Sequence, residues 1–445
     1  MGNKKVLVIL VLIIVLLLGW LLAFKSVTRI DEIKKQNDLV ARADGFMERE
    51  LYIRAIPLYE EATKIKTTDK MSFEVEDRLL NAYLLHGDMN KYAKIIEKRA
   101  KKNKASVEEY KNAFNYYVES YKMSDAFKLI RLGMENTGSE ELETLYEEYR
   151  YLYRMRSTKY NYIAPTVDNS IMPVFDGEKW GYIASGGEVL ISPQFDSATA
   201  FTNDGIAAVS NDGKFFAVNK NGDKYGLDDN EEKSRIQDAK YTSGSYILAK
   251  RDDKYGFFDY DFNLVSGDLL FDEITRSSNG VIVGKRGDAW VIVNTSDGKQ
   301  VATGIEEVAV NSYGSVFSNG RGMVKIGGKW HLVDTEGKDI IQDTFDYAKA
   351  PESDGLIAVA NSDGLWGFIN DKGELKIDYQ YYDAYSFSDN VAAVQIYNDS
   401  WIYISKFNVP ISEEQFEEAK PFHGGVGHVY EDGTAQLIIF RYYDE

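Results

Sequence analysis

The sequence has no cysteine, only four histidines and only seven prolines in 445 residues. The absence of cysteine excludes disulfides, thiolate metal sites and cysteine nucleophiles. Four histidines leave little room for a zinc enzyme or a histidine general base. Basic residues are also in the minority, 52 against 70 acidic ones, and the net charge is −18. That charge argues against a nucleic-acid partner, because the phosphate backbone would be repelled.

Glycine and tyrosine, by contrast, are abundant, with 36 and 31 copies. Many glycines beside many aromatic residues indicate repeated turns between strands. Residues 1–160 carry 28 Lys+Arg and 24 Asp+Glu, a net charge of +4, whereas residues 161–445 carry 24 and 46, a net charge of −22. The length suits two or three domains. We predict an anchor segment at 1–26, a helical domain at 27–156, a linker or closing strand at 157–169 and a β domain at 170–445.

Residues 6–24 are free of charge. As a helix they would span about 28 Å, close to the hydrocarbon thickness of a bilayer, which predicts a transmembrane anchor and the membrane as a partner. A cleaved signal peptide is the alternative, but the end of the run offers no small-x-small site. Counting lysine and arginine alone favours a cytoplasmic carboxyl side, whereas the short basic tail before the run favours export. We predict a single-pass protein of the cell membrane, with the N terminus inside and the bulk of the chain extracytoplasmic.

Residues 27–156 show the apolar spacing of three and four that is typical of helices. Three segments repeat a pair of small residues seven positions apart, and small residues let two helices approach closely. The region resembles a degenerate tetratricopeptide-type array of about three helix pairs, and an unrelated helical bundle is the alternative. The three pairs of small residues are Ala55 and Ala62, Ala93 and Ala100, and Ala126 and Gly133.

An aromatic residue recurs every 35 to 40 positions in the rest of the chain, always in the same context. A strand and a tight turn rich in Asn, Asp and Gly precede it, and such hairpin turns need positive φ. A second turn, a short apolar strand and an aromatic-acid pair follow it, as in Phe195-Asp196. The recurring aromatic residues, here called the anchors, are Trp180, Phe215, Tyr255, Trp290, Trp330, Trp366 and Trp401.

The stretch from Lys179-Trp180-Gly181-Tyr182-Ile183 to Phe195-Asp196 resembles the WG-repeat, or KWG-repeat, family almost in full. The resemblance extends over residues 170–445, in about eight units. Several units depart from it, since Phe216, Val291, His331 and Ile402 replace the glycine that follows the anchor. The family is defined by its repeat and not by a reaction, so the resemblance implies no catalytic residues.

A unit of about 35 residues cannot bury both of its faces alone, so neighbouring units must stack, with the anchor between them. The predicted fold class is multidomain α + all-β: a transmembrane helix, a helical repeat region and a closed β-propeller-like array, with an open β-solenoid as the alternative. In a ring, the extended stretch at residues 160–165 would complete the last blade and remove both free edges.

The sequence predicts no catalytic residue, no cofactor and no metal site. A row of tryptophans could stack on sugars, but at fixed spacing within strands it is typical of a core. Turns such as Asn219-Lys220-Asn221-Gly222-Asp223 and Asn294-Thr295-Ser296-Asp297-Gly298 are similar to calcium loops but lie where every unit has a hairpin turn. His423 and His428 could share a metal, but no third ligand is evident.

Together these features predict a membrane-anchored, non-catalytic binding or scaffold protein of the bacterial cell envelope. Its helical repeats and β repeats would be the surfaces that bind a protein or a cell-wall polymer. The alternative is a carbohydrate-active enzyme on a propeller-like fold. That alternative requires two carboxylates within about 5–10 Å of each other at the centre of the array.

Overall fold

The computed structural model describes residues 28–225, 235–398 and 400–442, and the chain divides into two compact units. The first unit ends at Tyr149 and the second is Arg150–Glu445. The first unit is helical and the second is built from strands.

Seven helices occupy the described part of the first unit. Sequence-encoded caps set several of their ends: the Thr68 hydroxyl accepts a hydrogen bond from the N–H of Met71, Gly87 adopts the left-handed conformation, and Ser106 forms a capping box with Glu109. The helices are α1 (28–47), α2 (Tyr52–Thr63), α3 (Asp69–His86), α4 (Met89–Ala100), α5 (Val107–Glu119), α6 (Met123–Thr137) and α7 (Glu140–Arg150).

The small residues of the predicted helix pairs lie on α2, α4 and α6, and all six are buried. At Gly133 the reason is close approach, because an added Cβ would lie 2.8 Å from the Leu142 side chain and 2.9 Å from the Tyr110 ring. The buried Arg99 of α4 adds a polar tie. Its guanidinium pairs with Glu76 at 2.8 Å and with Glu109 at 2.6 Å, and so links α3, α4 and α5.

No helix in residues 28–225, 235–398 and 400–442 is long and apolar enough to cross a bilayer. The described helices carry charged residues along their length, such as Lys70, Glu74 and Arg78 in α3. The predicted fold class and location are therefore corrected: the structure supports a helical region followed by an eight-bladed propeller, and it does not support a transmembrane helix or a single-pass membrane location. The predicted span itself, residues 6–24, lies outside the described residues.

The described strands of the second unit form eight antiparallel sheets, which are the blades of a propeller. Strand β1 (Tyr153–Ser157) precedes the first blade and belongs to the last. Blade 1 consists of β2 (Tyr162–Ile163), β3 (Ile171–Phe175), β4 (Trp180–Ala184) and β5 (Val189–Phe195); blade 2 of β6 (Ser197–Ala198), β7 (Ile206–Asn211), β8 (Lys214–Asn219) and β9 (Lys224–Tyr225); blade 3 of β10 (Ile236–Ser243), β11 (Tyr246–Arg251) and β12 (Lys254–Phe258); blade 4 of β13 (Glu273–Ile274), β14 (Val281–Arg286), β15 (Ala289–Asn294) and β16 (Gln300–Ile305).

The remaining four blades follow the same plan. Blade 5 consists of β17 (Glu307–Val308), β18 (Phe317–Ser318), β19 (Arg321–Ile326), β20 (Lys329–Asp334) and β21 (Asp339–Phe345); blade 6 of β22 (Tyr347–Ala348), β23 (Ile357–Ala360), β24 (Trp366–Ile369) and β25 (Leu375–Tyr381); blade 7 of β26 (Asp383–Ala384), β27 (Val391–Tyr397) and β28 (Ser400–Ser405); blade 8 of β29 (Glu418–Ala419), β30 (Val426–Glu431), β31 (Thr434–Phe440) and β1.

The ring is closed by strand β1. It pairs antiparallel with β31, so that Tyr153 lies opposite Phe440 and Ser157 opposite Gln436. The array is therefore a closed propeller and not an open solenoid. Residues 160–165, predicted to complete the last blade, do not do so, because Tyr162–Ile163 pairs with β3 as the first strand of blade 1.

The hydrophobic core of the propeller lies between blades. One cluster joins Ile163 and Val174 of blade 1 to Val426 and Leu437 of blade 8. Because each blade buries its faces against its neighbours, no blade can be stable alone.

The glycine of the WG motif lies where two neighbouring strands of the blade approach each other closely. In blade 1, Trp180 lies opposite Phe195 while Tyr182 lies opposite Ile191, so the last strand bulges beside Gly181. A Cβ on Gly181 would lie 2.5 Å from the carbonyl oxygen of Ile191. Gly367 of blade 6 has the same environment, with the carbonyl oxygen of Ile377 at 2.6 Å.

The acid of the aromatic-acid pair ties one blade to the next. Asp196 accepts from the Lys179 ammonium at 2.5 Å, within its own repeat. It also accepts from the backbone N–H of Asp212 at 2.7 Å, in the hairpin turn of the following blade. In the same way, the Asp272 carboxylate accepts a hydrogen bond from the backbone N–H of Gly287, and the Glu417 carboxylate accepts one from the backbone N–H of Asp432. This geometry agrees with the interpretation of the pair as a structural device.

Candidate ligand site at the propeller axis

The first and second strands of a blade are joined by a segment that we call the axial loop. These loops converge: the N–H of Arg276 in blade 4 donates to the carbonyl of Gly314 in blade 5 at 2.7 Å, and Ser312 Oγ of blade 5 lies 2.6 Å from His423 Nε2 of blade 8, three blades away. In a ring of eight blades, such non-adjacent contacts occur only near the axis. The axial loops therefore present their side chains at the centre of the propeller.

Two cavities open among these loops. The first, of about 360 Å³, is lined by residues of five consecutive blades, among them Tyr162, Ala200, Tyr241, Arg276 and Tyr313. The second, of about 430 Å³, lies against blades 1, 2 and 4 and shares Ala200 and Arg276 with the first. A concave site with a few polar groups among apolar walls is the usual form of a ligand pocket.

Arg276 is the charged residue common to both cavities. Its backbone is fixed by the bond to Gly314, and burial lowers the pKa of its guanidinium, an effect that the charges of Tyr313 and Asp168 partly offset. Its side chain has no hydrogen bond or ion pair with any described residue. A half-buried guanidinium without a counter-ion is costly unless an anion reaches it.

Lys240 is the second cation in the lining of the first cavity. It lies 3.6 Å from Glu273 and 5.4 Å from the centre of the Tyr241 ring. Three tyrosines form the aromatic walls of this cavity, and burial raises the pKa of each phenol: Tyr162, Tyr241 and Tyr313.

A buried hydrogen-bond chain lies beneath Ser312, in the wall of the first cavity. Ser312 Oγ is 2.6 Å from His423 Nε2, and Ser388 Oγ is 3.1 Å from His423 Nδ1. Because the Ser388 hydroxyl donates to the carbonyl of Phe422 at 2.5 Å, it accepts from Nδ1–H, and Nε2 then accepts from Ser312. The N–H of Ser312 donates to Glu352 Oε1 at 2.8 Å.

Burial governs the ionisation of this chain. It raises the pKa of Glu352 to about 8, although hydrogen bonds from Ser312 oppose the rise. It lowers the pKa of His423 to about 3. The pair of Ser312 and His423 has the spacing of a nucleophile and its base, but the carboxyl hydrogen-bonds the serine and not the imidazole, and an imidazole of so low a pKa is a weak base. The arrangement is suited to holding the axial loops of blades 5, 6, 7 and 8 together.

The seven predicted anchors lie elsewhere. Each is in the third strand of its blade, except Trp330 in the fourth strand of the five-stranded blade 5, and none lines either cavity. Tyr255, Trp330 and Trp401 are buried, and the other four are partly buried. Trp330 is paired across the sheet with Phe345, the aromatic residue of its own aromatic-acid pair. Their structural role stays a prediction.

The two turns that were compared with calcium loops use their side-chain oxygens internally. The Asn219 carboxamide oxygen accepts from the N–H of Asn221 and of Asp223, both at 2.9 Å. The Asn294 oxygen accepts from the N–H of Ser296 at 2.8 Å. Within the residues that the structure describes, no three His, Asp or Glu side chains are grouped as metal ligands, and both ring nitrogens of the buried His428 lack a protein partner.

Sequence reasoning did not single out Arg276, Ser312 or Glu352. They occupy axial loops, where the repeats differ from one another, and the search for a recurring motif passes over such positions. Arg276 could have been found by looking for a charged residue at a position where other repeats have a small or neutral one. Blade 2, for example, has Ala200 in the same wall.

A family model described as the WG containing repeat matches residues 180–215 and 366–401. These segments are WG repeats. The first includes Gly181 and the second Gly367, the two glycines at which neighbouring strands approach closely, so the predicted WG-repeat resemblance is confirmed for these two segments.

Solved structures match the chain at low identity. BamB from Moraxella catarrhalis is 12% identical, with 65% of this chain and 100% of that chain covered and a TM-score of 0.41. Sqt1 from Saccharomyces cerevisiae is 11% identical, with coverages of 65% and 98% and a TM-score of 0.38. The Pan2 WD40 domain from Neurospora crassa is 8% identical, with coverages of 55% and 90% and a TM-score of 0.32. No curated protein matches the chain.

Proposed function

We propose that this WG-repeat chain is a non-catalytic binding protein that holds a ligand at the axis of its propeller. The observation that carries the proposal is the first cavity, whose wall is assembled from residues of five blades around Arg276. A site to which so many repeats contribute different side chains is suited to selective binding. The helical unit offers a separate surface for a protein partner, and its use stays a prediction.

The cavity walls support binding over glycoside hydrolysis. That reaction needs two carboxyl groups flanking the scissile bond. Among the described residues that line the two cavities, Asp168 is the one carboxylate, and Glu352 lies buried beneath Ser312. The observed side chains are therefore arranged to contact a ligand more readily than to cleave one.

The test is a substitution in the wall that fills the first cavity with a larger side chain. Ala200 lines both cavities, so Ala200→Trp places a large ring in the space that a ligand would occupy. The matched control is Lys372→Trp, in an exposed turn of blade 6. A library of small neutral and charged compounds is screened against each protein by saturation-transfer NMR.

We expect compounds that bind the wild type and the control, and whose signals are lost with Ala200→Trp. Compounds that bind all three proteins equally would show that the axial cavity is not the binding site. Thermal unfolding of the variant establishes that its propeller is folded.

A further inference from the structure

The first cavity has a charge opposite to that of the domain around it. Residues 161–445 carry a net charge of −22. The described residues that line the cavity nevertheless include two cations, Lys240 and Arg276, and no carboxylate. A small positive site in a strongly acidic domain is maintained against the general field of the molecule, and it attracts an anion locally.

Of the two cations, Arg276 is the one without an ion pair to a described residue, although Asp168 lies near enough to influence its charge. Lys240 has Glu273 at 3.6 Å, whereas Arg276 has no carboxylate within ion-pair distance among the described residues. A guanidinium presents two parallel N–H donors, which match the two oxygens of a carboxylate. A dianion such as a phosphate monoester would demand more positive charge than one free guanidinium supplies, and the acidic domain would repel it more strongly.

The remaining wall selects the rest of the ligand. Beside the tyrosine rings the lining is mixed: its apolar residues are Ala164, Pro165, Pro173, Ala198, Ala200 and Val310, and its uncharged polar residues are Thr199, Thr242, Asn311 and Ser312. The three tyrosine rings and the apolar residues offer a surface on which an aryl or alkyl group can pack.

We propose that the axial cavity binds an apolar monocarboxylate, with its carboxylate on Arg276 and its aryl or alkyl group among Tyr162, Tyr241 and Tyr313. This inference rests on the proposed function, because it names the ligand class for the same cavity. The carboxylate can belong to a free acid or to the C-terminal residue of a peptide, and the experiment separates these sources.

The experiment compares each acid with a matched neutral compound, in the full-length protein. The first pair is phenylacetate and phenylacetamide, and the second is acetyl-glycyl-glycyl-phenylalanine and its C-terminal amide. Glucuronate and glucose form a third pair. Dissociation constants are measured by ligand-observed NMR titration up to about 10 mM, a range that reaches the weak complexes of small ligands.

We expect at least one apolar acid to bind about tenfold more tightly than its amide, as a charge-assisted bidentate contact provides. Arg276→Gln should abolish this preference, whereas Arg286→Gln, an exposed arginine of the same blade, should retain it. If the cavity fits a free acid, phenylacetate will show the larger preference over its amide. If it fits the C-terminal residue of a peptide, the tripeptide acid will show the larger preference.

Equal affinity of acid and amide in the wild type would overturn the inference, as would binding of neither apolar acid or a larger preference for glucuronate. These results need no variant, so they stand even if Arg276→Gln fails to fold. If acids and amides bind equally and both are lost with Ala200→Trp, the proposed function survives and only the carboxylate is wrong. If Ala200→Trp changes nothing, the axial cavity itself is not the site.

Discussion

Glu352 is a carboxyl group placed almost wholly out of water, with 2% of its surface exposed. Its contacts are Ser312, at 2.8 Å from the backbone N–H, and His423, whose Nε2 lies 3.7 Å from Oε2. Neither contact supplies a full positive charge, because His423 is neutral at ordinary pH. Glu352 is therefore protonated in the folded protein near neutrality, and in that form it can donate to the Ser312 hydroxyl.

This protonation makes the stability of the propeller depend on pH. The pKa of Glu352 is raised from 4.5 to about 8, so the folded protein binds a proton that the unfolded chain releases between those values. The contribution is fully present below about pH 4.5 and is lost as the pH rises through 8. We expect the free energy of unfolding of the wild type, measured by urea titration, to fall relative to that of Glu352→Gln between pH 5 and 8.

The comparison with Glu352→Gln removes the opposing effect of His423 and His428. Burial lowers the pKa of both imidazoles to about 3, so their contribution rises with pH up to about 6.5 in both proteins. Glu374→Gln, in an exposed turn, is the control and should leave the profile in this window unchanged, since the pKa of Glu374 is lowered by Lys376 and Asn370. A constant difference between wild type and Glu352→Gln across the window would show that Glu352 is ionised in the fold.

Single residues of this kind were beyond sequence reasoning. Glu352 and Arg276 belong to no motif, and a sequence does not reveal which of 70 acidic residues is buried. His423 and His428 were noticed, but only their burial shows that they are neutral core residues.

At the scale of strands, the repeat encodes its own geometry. In each regular unit one close contact joins the third and fourth strands. It is formed by the anchor, the glycine that follows it and the aromatic residue about 15 positions later, which in blade 1 are Trp180, Gly181 and Phe195. The sequence predicted these parts because they recur. It predicted that an N-terminal stretch would complete blade 8 but placed it at residues 160–165 and not at β1, because β1 lies about 280 residues from its partner and carries no repeat motif.

The close approach of the two strands predicts that any side chain at position 181 destabilises the propeller. An added Cβ would lie within 2.6 Å of two backbone atoms, of Ile191 and Pro193, and backbone cannot move aside as a flexible side chain can. We expect Gly181→Ala to lower the free energy of unfolding of the propeller by about 1–3 kcal/mol, as overpacking does. Tryptophan fluorescence during urea unfolding measures it.

Gly355→Ala is the matched control. Gly355 has no atom within 4 Å of an added Cβ, and its φ is not positive. Its substitution should change stability by no more than about 0.5 kcal/mol. Equal changes in stability at both glycines would mean that the two strands do not approach each other closely at Gly181.

At the scale of the whole molecule, the decisive contact is the pairing of β1 with β31. Ser157 and Gln436 face each other across it, although they are far apart in sequence. The chain has no cysteine, so Ser157→Cys with Gln436→Cys offers one possible disulfide. We expect it to form and to stabilise the propeller by about 2–4 kcal/mol, because it closes a very long loop. The melting temperatures of oxidised and reduced protein measure the gain.

The control pair is Glu431→Cys with Thr434→Cys, which face each other within one hairpin of blade 8. Each pair removes the hydrogen bond from Gln436 to Glu431, so the difference between them isolates ring closure. The hairpin disulfide closes a short loop and should add little. Failure of the Ser157 pair to oxidise would mean that its Cα atoms are more than about 7 Å apart, as in an open array.

The origin of β1 has a consequence for the synthesis of the protein on the ribosome. β1 is translated before every other strand of the ring, whereas β31, its partner, is translated after them all. At about 5–20 residues per second, the first strand waits for tens of seconds with its hydrogen-bonding edge unsatisfied. During that interval seven blades can stack on one another, but the eighth cannot be completed. The circular fold is thus assembled as a line, and the nascent chain is most open to chaperones, and to pairing with a neighbouring chain, until its last blade emerges.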